Sequence, residues 1–474
     1  MGKRLFATIA LVLLLAAQAS AQSDAQRLQR LDQTLNEVLE YRYERTDGRT
    51  LAESARVDYG VYTILSVIAS DNVDRTTREL ASVDARFWVR AEQAGSTGYA
   101  RLRLHYQWFD ATTDEFWAAG DGFRYPLLDR WWYEFDWRRN RQATGGTDPD
   151  WNWNTRLGRQ LVTWGTGITL YRTLYSARLN FEWSRFHLQT MAGQSPDHDF
   201  IDFDASRPGY TSDTERNFWG VLLDYRGWTS HQPFLYFLDQ IDRNDTTLSG
   251  GGEYHYDSSY VALGSTGQLG GSTFYRFEAI YEFGESASDL TGSFPQTRDD
   301  IAAWAIKFEV IITPRRYPKL RNFRLELELL LGSGDSDRGH SAHTINGNQS
   351  GTNDTSFNAF GYWNTGLVLA LDLSNLASLR LGPRWRPWRT EEPGSKVEFG
   401  LDLFFFGKLD SDAPVSVTTI PGEGYIGFEA DLIIAWQLTS DLAIDFRYGI
   451  FLPGDAFLGS KPMQFAYLGV SYGF

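Results

Sequence analysis

Glu79-Leu80-Ala81-Ser82-Val83-Asp84-Ala85-Arg86-Phe87-Trp88-Val89-Arg90-Ala91-Glu92-Gln93 repeats with a period of two. Ala81, Val83, Ala85, Phe87, Val89 and Ala91 alternate with Ser82, Asp84, Arg86, Trp88, Arg90 and Glu92. Successive side chains of a strand point to opposite faces, so this stretch carries one apolar and one charged face. The same split recurs where Trp131, Tyr133, Phe135 and Trp137 oppose Arg130, Glu134, Asp136 and Arg138. It recurs again where Tyr275, Phe277, Ala279, Tyr281 and Phe283 oppose Arg276, Glu278 and Glu282, and where Phe323, Leu325, Leu327 and Leu329 oppose Arg324, Glu326 and Glu328.

The runs are longer than the roughly 5–6 residues of strands in soluble sandwiches and fit tilted strands crossing a bilayer. Eighteen are expected from about residue 54 to 474, among them 128–140, 154–164 and 175–183. An even count suits a closed antiparallel barrel, which is one domain because splitting it would expose strand edges. The expected fold is therefore all-β, a transmembrane antiparallel β-barrel of about 18 strands spanning residues 49–474. Short connections such as Ala94 to Gly98 and Leu438 to Ser440 are expected at the periplasmic end, and long ones such as 110–127 and 333–375 outside. The apolar run Leu367 to Leu373 within that last loop predicts a helix or strand on the barrel rim.

Outside the barrel, Lys3 and Arg4, an apolar run from Leu5 to Ala17 and Ala19-Ser20-Ala21 have the form of a secretory signal, residues 1–21. In residues 22–48, Leu28, Leu31, Leu35 and Val38 have helical spacing, which predicts a short amphipathic periplasmic helix that leads into the barrel, with plugging it or docking a partner as the alternatives. At the other end Ala466, Leu468, Val470, Tyr472 and Phe474 alternate to an aromatic last residue, similar to the insertion signal of outer-membrane proteins. The expected location is the bacterial outer membrane, with lipid around the wall.

Composition narrows the function. There are no cysteines, so thiol and disulfide chemistry are excluded, and the net charge of −15 argues against nucleic acid. No catalytic or metal constellation emerges: His340 and His343 make only a pair, Asp335 and Asp337 start a calcium-like loop without its later ligands, and the acids Asp197, Asp199, Asp202 and Asp204 read as a solvated run. Only 6 of the 45 cations are lysine. The guanidinium fork matches carboxylates and hydroxyls, so an arginine-rich lumen suits acidic or hydroxylated solutes. Alternation turns Arg86, Arg90, Arg101, Arg103, Arg130, Arg138, Arg276, Arg324, Arg380, Arg384 and Arg386 inward. Arg159 joins them if Gly158 forms a bulge, which leaves Leu161 facing lipid. The alternative role for these arginines is pairing with Glu278, Glu282, Glu326, Glu328, Asp402, Glu429, Asp431 and Asp445 to stiffen the wall.

Several segments in order resemble the alginate-export family of outer-membrane barrels. They are Arg156-Leu157-Gly158-Arg159-Gln160 with Trp164-Gly165, Asn217-Phe218-Trp219-Gly220 leading to Pro233–Asp242, and Gly332-Ser333-Gly334-Asp335 with Thr355-Ser356-Phe357-Asn358. Leu379-Arg380-Leu381-Gly382-Pro383-Arg384-Trp385-Arg386-Pro387, Gly427-Phe428-Glu429-Ala430-Asp431-Leu432 and Tyr448-Gly449-Ile450-Phe451-Leu452-Pro453-Gly454-Asp455-Ala456 follow. The resemblance covers roughly residues 150 to 460 and implies an 18-stranded channel passing an anionic polysaccharide, without cofactor or energy source. A small-solute porin and a surface-binding or assembly barrel are the competing readings.

Overall fold

The computed structural model describes residues 55–71, 77–109, 122–147, 149–196, 203, 215–244, 253–289, 295–314, 317, 320, 322–338, 342, 347–388 and 396–474. The signal, the helix of residues 22–48, His340 and His343, and Asp197, Asp199, Asp202 and Asp204 lie outside the described residues.

Eighteen strands follow one another: β1 Arg56–Asp71, β2 Thr77–Gln93, β3 Ser96–Phe109, β4 Gly122–Asp136, β5 Trp151–Trp164, β6 Leu170–Trp183, β7 Phe186–Gln194, β8 Arg216–Tyr225 and β9 His231–Asp242. The rest are β10 Tyr256–Leu269, β11 Thr273–Ala287, β12 Arg298–Ile312, β13 Phe323–Gly332, β14 Leu376–Trp385, β15 Lys396–Lys408, β16 Tyr425–Gln437, β17 Leu442–Pro453 and β18 Met463–Gly473. Each pairs antiparallel with the next, and β1 pairs with β18, so the sheet closes on itself. Closure gives every strand a partner on both sides, the condition for a sheet to lie in hydrocarbon.

Period-two alternation becomes an outside and an inside. Leu65 and Val67 of β1 are half exposed outward, whereas Tyr62, Ile64 and Ile68, at the alternate positions, are buried inward. Exposed aromatics cluster at both ends of the outer wall: Tyr133, Trp151, Trp183, Phe186 and Tyr472 near the short turns, and Tyr106, Trp219, Phe283, Phe405 and Tyr425 near the long loops. Such girdles mark the two membrane interfaces of a barrel.

One strand stops earlier than its pattern suggests. Strand β4 ends at Asp136, whose carboxylate accepts the Arg139 backbone N–H at 2.9 Å and caps the helix α1, Trp137–Ala143. Trp137 stacks on Trp151 and Trp153, with ring centroids 6.2 and 6.5 Å away. The expected strand 128–140 is thus corrected, and Arg138 sits on a turn helix, 3.5 Å from Glu182, instead of on the lumen wall.

Two segments fold into the lumen from the long-loop end. Pairing of β4 with β5 ends at Trp131–Arg159, and pairing of β6 with β7 ends at Tyr175–Gln194. Beyond those points the β5–β6 hairpin, residues 160–174, belongs to no wall ladder. It turns inward, packing Trp164 edge-on against Tyr236 of β9. From the β13–β14 loop, Asp354 pairs with β12 at Ile301, and Phe360 pairs with the hairpin at Leu170. Gly361 passes so close that a Cβ there would lie 1.8 Å from the Ile168 carbonyl oxygen. The apolar run 367–373 is neither helix nor strand; Val368 and Leu371 are fully buried in an apolar cluster with Phe404, Phe406 and Phe451. Its burial among inward-facing side chains, not at the rim, corrects that expectation.

Candidate functional site: the lumen below the constriction

Wall carboxylates hold the inward segments. Glu278 of β11 accepts the Thr166 backbone N–H at 2.7 Å and the Tyr236 hydroxyl, and Tyr236 also bonds Thr169. Glu282 accepts the Asn358 backbone N–H at 3.0 Å and the Tyr256 hydroxyl. On the other side Glu429 of β16 accepts the N–H groups of Val368 and Leu369, and Asp431 accepts that of Leu367. A buried backbone N–H needs an acceptor, and these four acids supply it. Glu278, Glu282, Glu429 and Asp431 therefore anchor backbone here, a role that pairing with arginine did not anticipate. The chain from 354 to 369 runs between β12 and β16 and meets the hairpin tip on the way, so the two segments together constrict the lumen.

Below the constriction lies a cavity of about 1320 Å³. Its inner end is formed by Thr166, Gly167, Tyr171, Tyr362 and Asn364, and its sides by strand ends at the short-turn side. Five of the expected arginines line it: Arg276, Arg324, Arg380, Arg384 and Arg386. They differ in how they are held. Arg380 is 3.1 Å from Glu326, 3.4 Å from Glu328 and 3.2 Å from Asp402, with its side chain only 7% exposed. Arg384 makes a two-pronged contact with Asp402 at 2.9 and 2.8 Å. Arg386 contacts Glu398 with its side chain 66% exposed, and Arg276 contacts Glu309 with 55% exposed. Arg324 lies between Glu326 and Glu398 at 39% exposure. The face of Arg380, Arg384 and Arg386, free of acid within its own strand, meets acids from β13 and β15 across the ladder.

A second arginine group lies on the opposite sector. Arg86 and Arg103 both reach Asp84 at 2.7 Å, and Arg101 reaches Asp129 at 2.7 Å and the Tyr62 hydroxyl at 3.1 Å. Asp129 is the extra residue of a register shift in β4, which leaves Arg130 opposite Arg101. Arg90 pairs with Glu92.

Arg159 follows neither group. Register pairs it with Trp131 and Tyr175, and its side chain is buried at 3% exposure, the guanidinium 5.7 Å from the Tyr175 ring centroid. Gly158, at φ +134°, has Trp131 O only 2.3 Å from where a Cβ would be, so the glycine is required. Arg159 is not among the residues that line the cavity. Thr163 lines the cavity instead, because the hairpin beyond residue 159 has left the wall.

Sequence reasoning passed over Lys307, Glu309 and Arg447, which also line the cavity. Alternation could have found them, since Lys307 and Glu309 share the inward face of β12 and Arg447 that of β17. Tyr362 and Asn364 come from a loop, where periodicity carries no signal.

The Alginate export family profile matches residues 156–471, more than half of the chain. No curated protein matches the sequence. Among solved structures the chain is similar to Pseudomonas aeruginosa OccK5 (OpdH), at 10% identity and TM-score 0.54 over 90% of this chain and 99% of that one. It is similar also to Pseudomonas aeruginosa OccK8 (OprE), at 11% identity and TM-score 0.52 over 88% and 98% of the two chains. Acinetobacter baumannii OccAB4 is similar at 14% identity and TM-score 0.52 over the same shares. At these identities the likeness concerns the fold.

Proposed function

The chain belongs to the alginate-export family and is an outer-membrane β-barrel channel, not an enzyme; from that premise we propose that its solute is an anionic polysaccharide or a related acidic, polyhydroxylated molecule. The observation that carries this reading is the pair of arginine-bearing sectors facing one lumen, with Arg276, Arg324 and Arg386 presenting solvent-exposed forks in the cavity. Charges lining a narrow passage set which ions and solutes enter it. The arginines sit beside acids, so each cation offers a local handhold within a wall of near-balanced charge. A chain of sugars with regularly spaced carboxylates can exchange one handhold for the next without being trapped at any of them. Movement is passive, driven by the solute gradient. By the general rule for such barrels the short-turn end, where the cavity opens, is periplasmic.

A wide, unselective porin fits less well. Porin interiors are polar and water-filled, whereas buried apolar side chains including Trp164, Phe360, Val368 and Phe404 pack inside this barrel near its long-loop end. Proteoliposomes loaded with a fluorescent uronic-acid oligomer and, separately, with a neutral glucan of equal length test the reading. Protein-dependent release of the acidic oligomer several times faster than of the neutral one is expected. Equal rates would move the assignment to a general porin, and retention of both would remove the transport role.

A further inference from the structure

A single cross-strand row runs along the inner wall. Gln232 pairs with Thr266, Thr266 with Arg276, Arg276 with Glu309, Glu309 with Glu328 and Glu328 with Arg380. At its charged end the row enters the large cavity. At its neutral end it enters a smaller pocket of about 440 Å³ at the short-turn mouth, and Arg276 and Glu309 line both spaces. One row below, Gln268 stands opposite Phe274, and Phe274 opposite Ile311. All three line the pocket as well.

The chemistry of this pocket differs from that of the large cavity. The side chains of Gln232, Thr266 and Gln268 make no hydrogen bond to another described residue, so amide and hydroxyl groups that both donate and accept stand ready on one wall. Phe274, 42% exposed, offers an apolar ring beside them. Neutral amides and a hydroxyl around an aromatic face match a sugar ring, which has hydroxyls at its edge and C–H groups on its face. The volume lies in the range of pockets that enclose small ligands. At the boundary, Arg276 holds Glu309 at 3.2 Å through one nitrogen and keeps over half of its side chain exposed.

We propose that this pocket is an entry subsite of the channel, binding one or two sugar units of an acidic glycan with the ring on Phe274, the hydroxyls on Gln232, Thr266 and Gln268, and the carboxylate on Arg276. The inference rests on the reading of the solute as an acidic glycan and adds where the chain is first gripped. Binding at the mouth raises the local concentration of chain ends facing the row that leads to Arg380.

Single-channel block from each side of a planar bilayer tests it, with a hexuronic-acid trisaccharide and a neutral trisaccharide as probes. Orientation is read from impermeant labelling of an Ala94→Cys variant at the short-turn end. In the wild type the acidic probe should block at lower concentration from the short-turn side. Thr266→Val with Gln268→Leu should raise the half-blocking concentration from that side about fivefold to thirtyfold, the loss of two neutral hydrogen bonds. Arg276→Gln should raise it for the acidic probe and leave the neutral one unchanged. Heat-modifiable migration of each variant shows that the barrel is assembled, and Gln232→Ala serves if the double variant is not. Equal block from both sides in the wild type, or unchanged block in the variants, overturns the subsite while leaving the acidic-glycan reading intact. Absence of block by the acidic probe from either side overturns both.

Discussion

Arg380 in β14 and Arg386, just past its end, lie on one face six residues apart, yet they occupy different electrostatic environments. Arg380 is buried among Glu326, Glu328 and Asp402, while Arg386 meets only Glu398 among the described residues and faces open solvent. Removing one member of a buried charge cluster leaves the others uncompensated, at a cost of about 3–5 kcal/mol, whereas an exposed pair contributes at most about 1 kcal/mol. Arg380→Ser should therefore lower the temperature at which the folded gel band is lost and shift ion selectivity little. Arg386→Ser with Arg324→Ser should lower the anion-to-cation permeability ratio with the gel transition nearly unchanged. The opposite pattern would show that Arg380 faces the solute and Arg386 is a strut. Alternation in the sequence identified both as inward. It could not separate them, because the acids that surround Arg380 arrive from β13 and β15 through a register that one strand's pattern does not contain.

The inward hairpin and the 354–369 segment show what strand periodicity conceals. Val162 and Trp164 continue the alternation of β5, so residues 160–164 read as wall although their ladder to β4 has ended at Arg159. Trp137 likewise extends the aromatic series of β4 by chance spacing, and only Asp136 as a cap signals the helix. The acids Glu429 and Asp431 were legible as inward, but their partners are backbone N–H groups of a loop some sixty residues earlier. Each such bond contributes about 0.5–1.5 kcal/mol, and three together hold a segment that has no ladder. Glu429→Ala should release residues 366–369 and raise single-channel conductance, by about twofold if the segment leaves the lumen. Gly361→Val, which has no room against Ile168, should do the same from the other contact. Conductance unchanged in both variants would show that these segments do not limit the passage.

At the scale of the whole molecule, seventeen consecutive antiparallel pairings and the β1–β18 seam make one closed wall. Its outside and its strand count were legible because lipid on one face and water on the other impose a strict period of two on every strand. The candidate site was legible in part: five expected arginines meet in the cavity, five gather on the opposite sector, Arg138 is on a helix and Arg159 is buried beside Trp131 and Tyr175. What remained hidden is how loops narrow the lumen, since loop contacts follow no period. A closed wall with a loop-built constriction and arginine handholds supports the proposal of selective, passive passage of an acidic chain. The most direct test is the voltage-dependent block of the purified protein in planar bilayers by uronic-acid oligomers of increasing length, with neutral glucans of equal length alongside. The account predicts block that strengthens with oligomer length and charge and is relieved at voltages that drive the oligomer through. Steady conductance indifferent to the acidic oligomers, or equal block by the neutral ones, would contradict it.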